Sequence, residues 1–398
     1  MHLPAHSARK HAILRDYLQR YLMERCKNPV ARGLRLLVVD GFAGAGAYQN
    51  GEPGSPVIVL RTMLDALTEI NIGRRQIGMP TLTLDCLLVL NDHDAEAVAQ
   101  LRGVMGELER EAAERSDLHL RTRYETAAFE ALAPAVEALV AAEGFRNVFL
   151  NLDQYAYKDV QRETLARLMR RAPSVELLYT CGIGSLVAYL SRTHHEHTAR
   201  ALRFLDLDPT RPLLDDAMLS RPEFLGAMER LVFDALAGCA PFVSPFSIHN
   251  PEGWRYWLVH MATVDRARQV YNDVLHDNAT GQAHFGRAGL RMLQYDPRHE
   301  DGRLYLFDGS AREAARGQLP DDVGRLLDAA GREMPVDQFW QMAYKQTPAH
   351  SDDVNAALMA HPEVSVLTAK GGERRVVGAI ARSDMIRLQP QRSFHMLW

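Results

Sequence analysis

The spacing of apolar residues divides this chain into alternating helical and extended segments. Between Lys10 and Cys26, the residues Ile13, Leu14, Tyr17, Leu18, Tyr21 and Leu22 recur at helical spacing and form one apolar face. Lys10 and His11, at the start of that helix, could reach a pocket, but read first as solvated end residues. The unbroken run Leu36 to Val39 reads as a strand buried on both sides. It closes on Asp40, and Gly41, Gly44 and Gly46 follow with only small residues and Phe42 between them. In the next loop, formed by Gly51, Pro53, Gly54 and Pro56, Ser55 is placed to cap the helix that Pro56 opens. A second apolar run ends at Asn91, where Asp92, His93 and Asp94 precede an alanine-rich helix.

A third strand is expected to end at Tyr124, Glu125 and Thr126, and a fourth, Val148 to Leu152, runs into Asp153, Gln154 and Tyr155. The fifth ends at Gly182 or Gly184, and Tyr256 to Asp277 adds another strand and a helix at the sheet edge. Strand and helix alternate at least five times, which predicts an α/β, Rossmann-like parallel sheet with helices on both faces. After Asp301 the pattern changes to amphipathic helices with turns expected at Pro320, Pro335 and Pro348. Ser351, Asp352 and Asp353 cap a helix with the apolar face Val354, Ala357 and Leu358. Two short strands, VSVLTA and RRVVGAIA, then flank KGGERR. Helices followed by a hairpin are the order of a winged helix, with Lys370 to Arg375 as the wing. The expected division is a helical preface over 1–34, a Rossmann-like domain over 35–300 and a winged-helix-like domain over 301–398.

A length of 398 residues supports two or three such domains. The net charge of −4 excludes a global basic field, so any nucleic-acid contact must come from a local patch. The wing and tail offer one, with Lys370, Arg374, Arg375, Arg382, Arg387 and Arg392 against Glu373 and Asp384. A protein-docking surface is the other reading of that hairpin. The four cysteines, Cys26, Cys86, Cys181 and Cys239, form no CxxC, a reducing-compartment pattern without a disulfide framework. His93 between two aspartates, and the group His194, His195 and His197, lack the further ligands that a metal site needs, so no metal is expected. The N-terminus has no signal-like apolar core and no run spans a bilayer, so a cytoplasmic protein without membrane contact is expected.

The turn after the first strand carries the candidate chemistry. Glycines there let the backbone approach a ligand closely, because no Cβ intervenes. The GxxxxGK[ST] phosphate cradle is absent, and the third glycine of GxGxxG is replaced by Gln49, which disfavours a nicotinamide enzyme. An acidic strand end before a glycine turn suits a nucleoside with an amino group or ribose hydroxyls, and S-adenosylmethionine (SAM) is the ligand that this pattern favours. Its candidate binding residues are Asp40, Phe42, Ala43, Gly44 and Gly46 in the turn. Asp92 would take the ribose hydroxyls, Asp94 would assist or serve as a helix cap, and one of Tyr124, Glu125 and Thr126, with Glu125 the candidate, would face the adenine. The end of the fourth strand resembles the Asp-Pro-aromatic turn of amino-methyltransferases, and that resemblance implies Asp153 as the acceptor-side residue, with Tyr155 or Tyr157 as a ring stacking on the acceptor.

DGFAGAG at Asp40 to Gly46, followed by GEPGSP at Gly51 to Pro56, resembles the opening signature of the three-Cys-motif partner proteins. The KHxxLxxYL preface at Lys10 to Leu18 and the YWLVH strand at Tyr256 to His260 are similar in placement. That family is described as class I SAM-methyltransferase-like with a C-terminal winged helix. The resemblance implies a companion protein bearing a three-cysteine motif of radical-SAM type. With the basic wing, it points to a methyltransferase-like protein acting on or bound to DNA or RNA. One position departs from the pattern. The family usually has Asp-Pro-aromatic-Gly after the fourth strand, and here the residues are Asp153, Gln154, Tyr155 and Ala156. Gln154 has a free N–H and a softer turn than proline, so the rigid acceptor geometry is not assured. A non-catalytic scaffold on the same fold is the alternative that this departure favours.

Overall fold

The computed structural model describes residues 4–154, 158–190, 195–208, 221–249, 255–278, 282–285, 304–305 and 307–389. They divide into two units. The first comprises Met1–Leu219 and Met228–Val274, the second Ser220–Ala227 and Leu275–Trp398. The N-terminal helix falls within the first unit, and the second unit takes up the chain at Leu275.

In the first unit, α1 (Ala5–Cys26) precedes β1 (Gly33–Asp40), α2 (Ser55–Gln76), β2 (Thr83–Asp92), α3 (Ala95–Ala113) and β3 (Leu118–Thr126). Then come α4 (Phe129–Glu143), β4 (Asn147–Leu152), α5 (Arg162–Leu168), β5 (Ser174–Cys181), α6 (Ile183–Tyr189) and α7 (His195–Phe204). After α8 (Arg221–Ala237), three strands, β6 (Phe242–Ser244), β7 (Ser247–His249) and β8 (Arg255–Ala262), lead into α9 (Asp265–Asp277). Strands β3, β2, β1, β4 and β5 lie side by side in that order, all parallel. Antiparallel β8 extends the sheet beyond β5 and carries β6 and β7 on its own far side. This strand order makes the unit Rossmann-like. Leu36 to Val39 are 0% exposed, which explains why the central strand has no polar alternation. The chain reverses its direction of build between β1 and β4, and such a switch point leaves a crevice at the carboxyl ends of the strands.

Helix α1 lies along one face of this sheet. Tyr17 packs on Phe149 of β4 and its hydroxyl is 2.7 Å from His260 Nε2 of β8. Near its end, Arg25 pairs with Glu176 of β5 at 2.8 Å. The helix thus begins at the carboxyl ends of the strands and finishes near their amino ends.

The second unit contains β9 (Gln282–Phe285) paired antiparallel with β10 (Leu304–Tyr305), then α10 (Gly309–Ala329) and β11 (Glu333–Pro335). Helices α11 (Val336–Ala343) and α12 (Ser351–Ala360) precede β12 (Val364–Leu367) and β13 (Met385–Leu388). Antiparallel β13 lies between β11 and β12. Pro320 makes no turn and sits inside α10. Burial of Ala315, Leu319, Val323 and Leu327 along one face outweighs the missing N–H of that proline. RRVVGAIA is not a strand either. It has no alternating buried face, Val376 is 64% exposed, and only a short 3₁₀ turn at Val377–Ala379 forms there, after an isolated bridge at Glu373. The strand that pairs with β12 comes later, where Ile386 and Leu388 are buried. Ser351 is the first helical residue of α12, because the ring of His350 takes the capping bond from the Asp352 amide.

Candidate functional site

Asp40 ends β1 with its side chain fully buried. The Phe42 amide donates to its Oδ1 at 3.3 Å, and Ser55 and Asn151 stand alongside. Burial pushes this carboxyl up to about 6, because neighbouring dipoles only partly replace the water that it has lost. Ser55 does not cap α2, since Gly54 holds the cap position and Ser55 turns towards Asp40. Beyond Asp40 the backbone enters left-handed conformations at Gly44 (φ +58°) and Gly46 (φ +80°). A side chain at Gly46 would also meet Leu101 at 2.7 Å, whereas the space over Gly44 is open.

The end of β2 clasps this turn from the side. The Ala43 amide donates to the Asn91 carbonyl at 2.8 Å, and the Asn91 amide group donates to the Gly41 carbonyl at 2.9 Å. Asp92 receives the Gly44 amide on Oδ2 at 2.9 Å and the Asp94 amide on Oδ1 at 3.0 Å. Oδ2 keeps a second acceptor position, while His93 Nδ1 lies 3.1 Å from Oδ1. Asp94 accepts from the Glu96 amide as the cap of α3, so its side chain is committed to the helix. His93 is exposed beside Asp92, and no cluster of three metal-ligating side chains occurs among the described residues.

Strand register decides which candidates share a surface. Asp40 is paired with Leu90 of β2 and Asn151 of β4, and Asn151 with Leu178 of β5. Alternation then puts Asp40, Asp92, Asn151 and Thr180 on one face, with Asp153 just past the end of β4. Glu125 is paired with Asn91, so the pleat turns it to the other face, away from Asp92. Phe42 is half-buried with its ring 5.9 Å from Phe129. Tyr155 and Tyr157, the expected stacking rings, lie outside the described residues, as does His194, while nothing is described of the His195 and His197 side chains.

Asp40 Oδ2, Asn151 Nδ2 and Thr180 Oγ1 on this face are buried without a close hydrogen bond of good geometry, although Asn151 stands beside Asp40 and Thr180 beside Asp153. Such a set of buried polar side chains at a strand-end crevice can turn towards a polar ligand.

The N-terminal end of α1 closes the same region. Lys10 and His11 are not solvated end residues. The Lys10 ammonium pairs with the Asp153 carboxylate, and its side chain is only 11% exposed. Burial alone would raise Asp153, but the adjacent Lys10 charge outweighs it and holds the carboxyl below the usual range. Burial pulls His11 down to about 4, so its imidazole is neutral at physiological pH. Its ring lies 5.9 Å from that of Tyr48, whose phenol burial pushes up. Signals for this group were present in the sequence, as two cationic side chains at a helix start and as Asn151 inside an apolar run.

Gln154, which stands where the family pattern has proline, is buried, donates to the Tyr179 hydroxyl at 2.6 Å and accepts from the Val160 amide at 3.0 Å. Its side chain is thereby held next to Asp153. At the other end of α1, a separate cavity of about 180 Å³ between α1, the start of β5 and α9 shares none of these residues.

No protein-family model matches the chain, and no curated protein matches its sequence. Among solved structures, an O-methyltransferase from Bacillus cereus in complex with SAH is similar at 14% identity. That match covers 65% of this chain and 83% of the other, with a TM-score of 0.27. A loganic acid methyltransferase with SAH is similar at 6% identity over 67% of this chain and 80% of that one, with a TM-score of 0.23. At these scores neither likeness bears on the site, and the fold rests on the strand order itself.

Proposed function

We propose that this chain is a SAM-dependent methyltransferase-like protein whose acceptor sits beside Asp153. The buried polar side chains of Asp40, Asn151 and Thr180 at the strand ends, next to the Asp92–Gly44 clasp, carry this reading. They lie where a doubly wound sheet binds ligands, and they suit a polar, partly cationic one. SAM supplies a methyl group activated on a sulfonium. Asp92 has a free acceptor position for a ribose hydroxyl, and ionised Asp40 offers a negative charge to a cationic ligand. The open space over Gly44 admits close approach to the backbone. On the acceptor side, Asp153 holds a hydrogen-bond donor, while Lys10, His11 and Tyr48 shield it from water. Methyl transfer needs chiefly proximity and alignment, which such a wall supplies.

The second unit supports the winged-helix reading by its element order from α10 to β13, with β13 between β11 and β12. Its basic face is weaker than the composition suggests. Arg374 pairs with Asp384 at 2.8 and 3.0 Å, Arg387 pairs with Glu333 at 2.9 Å, and Arg382 pairs with Asp337. Lys370 and Arg375 remain without an ion pair among the described residues, and Arg392 lies outside them. The nucleic-acid role is proposed on those two cations, and the three-Cys-motif companion on the sequence resemblance alone. A non-catalytic scaffold is the alternative reading, and the bonds that hold Gln154 beside Asp153 weigh against it.

Calorimetric titration with SAM and with S-adenosylhomocysteine, after a check for co-purified nucleoside, tests the proposal. Micromolar binding is the expected result. No binding to a ligand-free protein rejects it.

A further inference from the structure

The amine held by Asp153 in this structure belongs to the chain itself. Lys10 Nζ pairs with Asp153 Oδ1 on the face that carries the buried side chains of Asp40, Asn151 and Thr180. Lys10 is presented by a long helix rather than by a loose tail. Further along α1, Tyr17 is fully buried against β4 and β8, and Arg25 is tied to Glu176. A primary amine is a competent methyl acceptor, and this one occupies the place that the proposed function assigns to the acceptor. His11 beside it is neutral and adds no competing charge.

We propose that Lys10 Nζ is a self-methylation site of this protein, an inference that rests on the cofactor reading above. The ammonium first loses one proton to water. The freed nitrogen lone pair then forms a bond to the sulfonium methyl carbon while the carbon–sulfur bond breaks. That electron pair stays on sulfur, leaving S-adenosylhomocysteine. The product, a monomethyl-ammonium, keeps its positive charge and its pairing with Asp153. Only the unprotonated amine carries the lone pair that attacks, so the reaction accelerates with pH.

The full chain is incubated with methyl-deuterated SAM, digested, and the Lys10 peptide is read by mass spectrometry. SAM binding is measured calorimetrically in the same buffer. The expected result is label on Lys10, growing with pH and absent in Lys10→Arg. A second readout needs no cofactor. Reductive methylation with formaldehyde and borohydride should spare Lys10 relative to Lys27, whose side chain is 64% exposed, and Asp153→Asn should remove that protection. Lys10 reacting as readily as Lys27 in the unsubstituted protein overturns the placement. SAM binding without label on Lys10 overturns self-methylation and leaves the proposed function standing. Absence of SAM binding removes both.

Discussion

The amide of Gly44 donates to Asp92 Oδ2 at 2.9 Å, so the carboxylate that ends β2 holds the turn that ends β1. Its other oxygen takes the Asp94 amide at 3.0 Å. One side chain thereby shapes the backbone of the crevice and still offers an acceptor position to a ligand.

Replacing Asp92 with alanine should therefore affect both stability and binding. Hydrogen bonds to a charged group contribute roughly 1.5–3 kcal/mol each, and two of them are lost with any ribose contact. The expected outcome is a clear fall in the denaturation midpoint and at least a tenfold loss of SAM affinity by calorimetry. Asp94→Ala should cost about 1 kcal/mol as a lost helix cap and leave affinity nearly unchanged. Equal effects of the two substitutions on affinity would overturn this division of roles.

Asp40 sets a pH dependence. Its carboxyl is raised from 3.8 to about 6 in the folded protein, so between those values the folded state keeps a proton that the unfolded chain has lost. Stability of the ligand-free protein should fall as pH rises through that window, by up to about 3 kcal/mol from this group. Asp40→Asn should flatten the profile and melt higher than the parent at pH above 6. SAM affinity should run the other way and rise with pH through the same window, because only the ionised carboxylate attracts a cation. Identical melting profiles for parent and variant would remove Asp40 as the source.

The two left-handed glycines should differ in tolerance. Alanine at Gly44 meets open space and carries only the conformational penalty of about 1–2 kcal/mol. Alanine at Gly46 adds a 2.7 Å contact with Leu101, and overpacking of that kind costs a further 1–3 kcal/mol or so. Urea denaturation should rank Gly46→Ala clearly below Gly44→Ala. The reverse order would mean that Leu101 yields easily.

Nucleic-acid binding by the hairpin between β12 and β13 should be weak. With Arg374, Arg382 and Arg387 engaged in ion pairs, Lys370 and Arg375 can neutralise about two phosphates. The slope of log affinity against log salt, measured by fluorescence anisotropy with duplex DNA, should be about −2. Replacing both residues with alanine should abolish it. A slope several times steeper would place the contact on another surface.

The sequence alone carried the sheet of the first unit, since Leu36 to Val39 and the apolar run before Asn91 are long enough to declare buried strands. It also carried the turn, because an acidic strand end followed by spaced glycines has few other uses. Helix periodicity was sufficient for α1 and for the Val354, Ala357 and Leu358 face of α12. It failed where local and tertiary preferences diverge, as at Pro320, which a buried helix face tolerates, and at RRVVGAIA, whose β-branched residues have nothing to cover them.

What only the tertiary structure decided is which side chains meet. Lys10 and Asp153 are 143 residues apart, and no local signal joins them. Their contact depends on α1 lying along β4 and β5 with its start at the carboxyl ends of the strands. Register likewise separates Glu125 from Asp92, because a strand alternates its faces at every residue and the pairing with β2 determines which face is which. Gln154 looked like a weakened turn until Tyr179 and the Val160 amide were found to hold its side chain. Periodicity is a property of neighbours along the chain, so the sequence determines elements and their apolar faces. Proximity between distant residues is a property of packing, and at this site packing brought the charges together.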